Sequence, residues 1–225
     1  MIITQEKPAE YFEHSRPEIA ALIPSGCRTL IDVGCAGGAL GALLKTQHPN
    51  LEVRGIEPVA DQAEKARALL DDVLIGNADA PLPENWPRPD CIVLADVIEH
   101  LIDPWETLRL WQKRLTTGGW LILSVPNVGH KSIISGLIRG TWDYAPEGIL
   151  DRTHLRFFTR RSLMDLLNQT GFRLIRLERI KSRGLSSKIV QILESPWTDH
   201  RQPKWISFLG DLVAYQFLVA AQRDE

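Results

Sequence analysis

The stretch Leu30-Ile31-Asp32-Val33-Gly34-Cys35-Ala36-Gly37-Gly38, followed by Val53-Arg54-Gly55-Ile56-Glu57, decides the fold. The first segment reads as a buried strand running into a glycine-rich turn and then a helix. The second reads as another strand with an acid at its carboxyl end. In a doubly wound α/β sheet a ligand sits outside the carboxyl ends of the strands, beside such a turn. Small residues let the backbone approach it closely, and glycine tolerates φ > 0. Valine at Gly34 or Gly38 is therefore expected to fill the ligand's space while the fold is retained. Glu57 can accept hydrogen bonds from both hydroxyls of a ribose. The two segments together predict a site for an adenosine-containing cofactor.

The spacing discriminates among such cofactors. A dinucleotide fingerprint needs G-x-G-x-x-G after the first strand. Counted from Gly34, position 36 is Ala36, so the glycine that lets a pyrophosphate approach is missing. A P-loop is excluded, because no lysine followed by Ser or Thr ends the turn. What remains is Asp32-x-Gly34-x-Ala36-x-Gly38, with an acid just before the turn. A carboxylate there would repel a pyrophosphate. It suits S-adenosylmethionine, which carries an ammonium group and a sulfonium and no phosphate.

Asp32 to Gly38 resembles the first motif, D-x-G-x-G-x-G, of the class I S-adenosylmethionine-dependent methyltransferases, and Glu57 resembles their ribose-binding acid. Gly76-Asn77-Ala78 stands where that family often has G-D-A, whose acid reaches the adenine amino group. Cys91 to Leu101 resembles the fourth strand with its D-V-x-E-H-L ending, and Leu115 to Pro126 the turn and fifth strand. Two positions depart from the pattern. Ala36 replaces the middle glycine, and Asn77 replaces the acid while keeping an amide oxygen acceptor. The resemblance covers nearly the whole chain. It implies cofactor contacts from Arg16, Asp32, Gly34, Cys35, Ala36, Gly38, Glu57, Pro58, Asn77, Ala78 and Asp96. Arg16 resembles the family's N-terminal arginine that pairs with the cofactor carboxylate.

With 225 residues, 44% of them hydrophobic, the chain fits one domain spanning 1–225 with a full core. The net charge of −2 gives no electrostatic case for nucleic acid or an anionic membrane. Cys27, Cys35 and Cys91 lie at or near strands without metal-ligand spacing, and read as reduced, mostly buried thiols of a cytoplasmic protein. No metal is expected. No basic-then-apolar leader and no bilayer-spanning apolar run is present in the sequence.

Alternation along the chain predicts strands at 28–34, 52–57, 72–75, 90–95 and 119–125, with helices at 38–47, 60–70 and 103–116 between them. That order implies a parallel sheet with right-handed crossovers. A first amphipathic helix is expected over 8–24, with Ile19, Leu22 and Ile23 inward. Arg160–Thr170 reads as a helix capped by Thr159 and stopped by Gly171. Phe172–Ile180 and Ala214–Gln222 read as strands, and 185–212 as two helices broken around Pro196 and Pro203. The family resemblance implies a Rossmann-like seven-stranded sheet, mostly parallel, with an antiparallel last strand between the fifth and sixth. Residues 127–158 are long for a connection and are expected to cover the site.

Methyl transfer from a sulfonium is an in-line displacement that depends on alignment, and an oxygen nucleophile gains from a base near neutral pKa. Histidine suits that role. His14, His48 and His200 sit in polar surroundings and point to nothing. His100 is expected to shape the turn after the fourth strand. His130, just after the fifth strand, is a candidate substrate residue, as are Trp142 and Tyr144 in the long connection. His154 is the candidate base. It lies in Asp151-Arg152-Thr153-His154-Leu155-Arg156-Phe157-Phe158-Thr159, which resembles a D-x-T-H-x-R-F-F-T segment of ubiquinone-pathway and polysaccharide-cluster methyltransferases. Asp151 is close enough in sequence to orient its ring. The competing role for His154 is to tie the connection to the sheet.

These readings point to methylation of a small molecule or glycan, with oxygen favoured over nitrogen. The alternatives are an N-methyltransferase, or a cofactor-holding module that acts through a protein partner on 185–212, where Trp197 and Trp205 lie. A nicotinamide oxidoreductase is disfavoured by the turn spacing. A nucleic-acid methylase lacks both a basic stripe and a base-methylating motif. A homodimer stays open.

Overall fold

The computed structural model describes residues 15–181 and 204–224. Its strands are β1 (Thr29–Val33), β2 (Glu52–Glu57), β3 (Asp72–Ile75), β4 (Cys91–Ala95), β5 (Trp120–Pro126), β6 (Phe172–Lys181) and β7 (Ala214–Arg223). They form one sheet in the order β3-β2-β1-β4-β5-β7-β6. The first five strands are mutually parallel, and β7 runs antiparallel between β5 and β6. The helices are α1 (Pro17–Ala20), α2 (Ala39–Gln47), α3 (Ala60–Arg67), α4 (Pro104–Arg114), α5 (Lys131–Ile138), α6 (Arg160–Gln169) and α7 (Lys204–Val213).

Strand alternation divides the core between the two faces. Ile31, Val33, Ile92, Leu94, Leu121 and Leu123 point to the side of α4 and α6, where Trp111 and Phe172 are buried. Leu30, Val53, Val93 and Ile122 point to the other side, against Ile19, Leu44 and Ala66. Both faces are covered, which is why the central strands read as near-continuous apolar runs. Asp32 and Ser124 interrupt such runs and are 3% and 0% exposed. In a parallel sheet, polar residues at such positions call for a partner or a ligand. Strand order reverses at the β1–β4 boundary, so the carboxyl ends of these two strands form the switch-point crevice.

The expected strands and helices of the sheet lie within a few residues of the observed ones. Thr159 caps α6 through a reciprocal pair with Ser162. Asp103 caps α4 by accepting from Glu106 N, and Pro104 occupies the first turn, where its missing N–H is no loss.

One expectation changes. Of the helix expected over 8–24, the described residues form only Pro17–Ala20, preceded by Arg16 in the left-handed region at φ 50°. Residues 1–14 lie outside the described residues. The 127–158 connection contains α5. Of the helices expected over 185–212, α7 is seen, and residues 182–203 lie outside the described residues. Among the described residues no helix is long and apolar enough to cross a membrane.

Candidate active site

The turn after β1 is held to β2 by its own backbone and by Glu57. Gly34 N donates to Ile56 O at 2.7 Å, and Ala36 N donates to Glu57 Oε2 at 2.9 Å. Glu57 Oε1 accepts from Val59 N, also at 2.9 Å. Each carboxylate oxygen keeps acceptor capacity beyond these bonds. Burial pushes the Glu57 carboxyl up, and the two backbone N–H groups pull it back. Pro58, next in the chain, is exposed.

Cys35 packs into the sheet. A Cβ on Gly55 would stand 2.5 Å from its sulfur, so that glycine makes the room for it. Burial pushes the Cys35 thiol well up and keeps it protonated. Gly34 and Gly38 have φ of +75° and +83°. A Cβ on Gly38 would meet the Cα of Ala66 in α3 at 3.1 Å, and one on Gly34 would meet Val97 Cγ2 at 2.8 Å. A valine at either position therefore disturbs packing within the protein, which corrects the expectation of an undisturbed fold.

Asp32 lies under the turn. Among the described residues no hydrogen bond reaches its carboxyl, which is pushed up to about 7 by burial and by Glu57, against the pull of Arg16. A buried acid without a partner, beside strained small residues and a second acid with spare acceptor capacity, fits a ligand with an ammonium group and a ribose. Asn77 is exposed at the far side of the crevice, and the Ala78 carbonyl is occupied by Trp111 Nε1 at 2.9 Å.

Arg16 and Asp96 close the crevice over β5. Arg16 Nη1 donates to Asp96 Oδ2 at 2.6 Å and Nη2 donates to Ser124 Oγ at 3.1 Å. Ser124 Oγ donates to Asp96 Oδ1 at 2.9 Å, and Gln216 Nε2 donates to the same oxygen. Ser124 and Gln216 are absent from the sequence expectation. Arg16, Ala36 and Asp96 are also the non-glycine residues with positive φ among the described residues, at 50°, 49° and 56°. Such backbone costs about 1–3 kcal/mol per residue and clusters at functional sites. Here all three instances border one crevice.

A second cluster lies where the 127–158 connection meets the end of β4. The 3-10 turn Ile98–His100 is joined to it by several bonds. The Glu99 carbonyl accepts from Leu155 N at 2.8 Å and Arg156 N at 3.0 Å. His100 Nδ1 is 3.1 Å from Thr153 O, and Arg156 Nε donates to Ile102 O at 3.1 Å. His154 is 8% exposed, with Nδ1 3.0 Å from Ile149 O. A carbonyl only accepts, so Nδ1 carries the proton and the Nε2 lone pair is the basic position. Glu99 Oε1 is 4.0 Å from that Nε2. One donor atom each from Glu99, His100 and His154 lies within 4.8 Å of the others.

Asp151 Oδ1 accepts from Thr153 N at 2.8 Å and Thr153 Oγ1 at 2.7 Å, while the contact at His154 Nδ1 is the Ile149 carbonyl. His130 caps α5. Its Nδ1 accepts from Ser132 N, which commits that lone pair and leaves Nε2 as a buried N–H without a hydrogen-bond partner. Burial, then Lys131, holds His130 below the usual imidazole range. Its ring meets the edge of Tyr215, whose hydroxyl bonds the Ile149 backbone. Trp142 stacks edge-on against Phe157 at 5.2 Å, and Phe157 faces His154 at 6.4 Å. Tyr144 is 51% exposed.

A seven-stranded sheet of this order, with an acid-lined switch-point crevice free of any phosphate-binding loop, defines an S-adenosylmethionine-dependent methyltransferase of class I. The family model described as "Methyltransferase domain" matches residues 5–177, and the chain belongs to that family. The ubiquinone biosynthesis O-methyltransferase of Cereibacter sphaeroides is 29% identical over 177 residues, covering 75% of this chain and 68% of that protein. The mitochondrial enzyme of the same name from Candida albicans is 36% identical over 120 residues, covering 50% of this chain and 36% of that protein. A methyltransferase structure from Archaeoglobus fulgidus superposes with a TM-score of 0.61 at 21% identity, covering 95% of this chain and 97% of that one. The chain is an enzyme, and its cofactor is S-adenosylmethionine.

Proposed function

We propose that the chain methylates a hydroxyl on a small aromatic molecule, with His154 as general base. The observation that carries this reading is the His154 tautomer. The Ile149 carbonyl fixes the proton on Nδ1 and leaves the Nε2 lone pair to take a proton. The Trp142–Phe157 pair beside it offers apolar aromatic surface for a planar acceptor. Relatives named as O-methyltransferases of ubiquinone biosynthesis support the same acceptor class.

When bound, the cofactor supplies an electrophilic methyl group on a good, neutral leaving group. The chain's own residues then have defined tasks. Asp32 neutralises the ammonium and Glu57 accepts from the ribose hydroxyls. Asn77 accepts from the adenine amino group. Arg16, once released from Asp96, pairs with the cofactor carboxylate. His154 removes the proton from the acceptor hydroxyl. The purified chain is expected to move labelled methyl from S-adenosylmethionine to catechol and 3,4-dihydroxybenzoate. Transfer to monosaccharides or primary amines in place of these diphenols would refute the acceptor class.

Residues 131–147 act as the cover of this single domain, while 149–158 are fixed. The former expose Leu137, Ile138 and Tyr144, apolar surface that closure can bury. The latter are tied to the end of β4 and β5 by the bonds above and by Val128 N to Phe158 O at 2.9 Å. In hydrogen exchange, cofactor product plus catechol is expected to slow amides of 131–147, whereas Leu155 and Arg156 are slow throughout. Equal exchange of 131–147 with and without the ligands would remove the cover.

A further inference from the structure

Arg16 is anchored at its backbone and engaged at its tip. Its carbonyl starts α1 by accepting from Ile19 N at 3.0 Å and Ala20 N at 3.1 Å, and both of those residues are buried. At the guanidinium, Nη1 donates to Asp96 Oδ2 at 2.6 Å, Nη2 to Ser124 Oγ at 3.1 Å and Nε to Glu18 Oε1 at 2.6 Å. Burial works against the guanidinium charge, but Asp96 and Glu18 outweigh it and raise its pKa above the ordinary value. The Arg16 and Asp96 side chains are 20% and 24% exposed, so water reaches the pair and it can open. The other oxygen of Asp96 does not depend on Arg16. Its Oδ1 accepts from Ser124 Oγ at 2.9 Å and from Gln216 Nε2. The Asp96 N–H also donates to Ser124 Oγ, at 3.1 Å. The carboxyl therefore keeps its place when Arg16 turns away. Arg16 also faces Asp32 and Glu99, whose ionisation it favours. One guanidinium thus serves several acids around the crevice, and any further carboxylate has to take it from Asp96.

We propose that Asp96 is an internal competitor of the cofactor carboxylate for Arg16, and that it sets how strongly the chain prefers the complete cofactor over an adenosine thioether that lacks the carboxylate. The inference rests on the reading that Arg16 pairs with that carboxylate. It makes Asp96 a rival of the cofactor rather than one of its contacts. A ligand with a carboxylate must open the Arg16–Asp96 bond before making its own, and its affinity gains only the difference between the two. A ligand without one leaves the pair closed and loses nothing. Because Ser124 and Gln216 keep Oδ1 satisfied, the exchange needs only a turn of the Arg16 side chain and no movement of β4 or α1.

The test is calorimetry of the full chain with S-adenosylhomocysteine and with decarboxylated S-adenosylhomocysteine, which keeps the adenosine, the sulfur and the ammonium. The quantity read is the ratio of the two affinities. Asp96→Asn keeps an oxygen for Ser124 and Gln216 but turns an amide N–H towards Arg16, which frees the guanidinium. Asparagine also tolerates the left-handed backbone at φ 56°. In this variant the ratio should move in favour of S-adenosylhomocysteine by about fivefold or more, the scale of one charge-assisted bond in a partly solvated place. Affinity for the decarboxylated analogue should stay near that of the wild type. Gln216→Met removes a donor from Asp96 Oδ1, which strengthens the hold of Asp96 on Arg16, and the ratio should fall. An unchanged or lower ratio in Asp96→Asn would overturn the proposal. If that variant does not fold, an unchanged or higher ratio in Gln216→Met would do the same. Failure of the underlying reading has a different signature, since Arg16→Gln would then keep the wild-type ratio instead of losing most of it.

Discussion

Replacing His154 by alanine is expected to lower kcat by about 10²–10⁴-fold, the range for a positioned general base. The affinity for S-adenosylmethionine should stay nearly unchanged, because no group assigned to the cofactor touches the imidazole. The remaining rate comes from alignment of the two reactants, which accounts for much of the acceleration in a displacement of this type. His154 also holds the Ile149 carbonyl, so the alanine variant loses a buried hydrogen bond worth about 1 kcal/mol. A modest fall in melting temperature is thus part of the expectation. A large fall in melting temperature with kcat intact would mean that the histidine only ties the connection to the sheet. Asp151→Asn should act weakly, through the Thr153 turn that precedes His154.

Asp32→Asn is expected to move stability and cofactor affinity in opposite directions. The Asp32 carboxyl is raised from 3.8 to about 7 in the folded chain. For an acid raised on folding, the native state holds more protons than the unfolded state between these values, so stability falls as pH rises through that window. At about 1.36 kcal/mol per pKa unit, the penalty above neutral pH is on the order of 4 kcal/mol. Asparagine removes it, so the free variant should be more stable than wild type at pH 8 and little different near pH 4. The same change removes the partner proposed above for the ammonium group. A charge-assisted hydrogen bond is worth roughly 1.5–3 kcal/mol, or about 10–150-fold in affinity. Glu57→Ala should weaken binding at both pH 6 and pH 8, because it also unties Ala36 from β2. Chemical denaturation of the free variants alongside calorimetry separates these effects. An Asp32→Asn protein that is less stable at pH 8 and binds normally would mean that Asp32 is structural.

The sheet was legible because its signals are strong. Parallel strands covered on both faces must be apolar runs, and Asp32 to Gly38 can hardly be anything but a turn at a switch point. α5 was harder to read. Lys131–Ile138 is a short, largely apolar segment whose periodicity alone does not settle between helix and strand. Its cap, His130, is an uncommon capping residue, and its place just after the fifth strand drew attention to it as a substrate contact instead. Side chains that meet across the sheet were invisible for a different reason. Ser124 and Gln216 lie far from Asp96 in the chain; Ser124 reaches it because β5 pairs with β4, and Gln216 because β7 inserts beside β5. The available signal was polarity itself, a serine within Leu121–Val125 and an acid at Glu99 between Ile98 and Leu101. Asp151 drew the orienting role by proximity in sequence. The group seen at His154 Nδ1 is the Ile149 backbone carbonyl, and a carbonyl is something every residue has and no sequence can single out. The positive φ of Ala36 explains the family's preference for glycine at that position, but nothing in the sequence foretold it for Arg16 and Asp96.

Calorimetric titration of the wild-type chain with S-adenosylmethionine and with NAD, at pH 6 and pH 8, tests the central claim most directly. S-Adenosylmethionine should bind at both values and more tightly at pH 8, as Asp32 ionises through about 7, while NAD should bind weakly or not at all. Tighter binding of NAD, or an S-adenosylmethionine affinity that does not change between the two pH values, would contradict it.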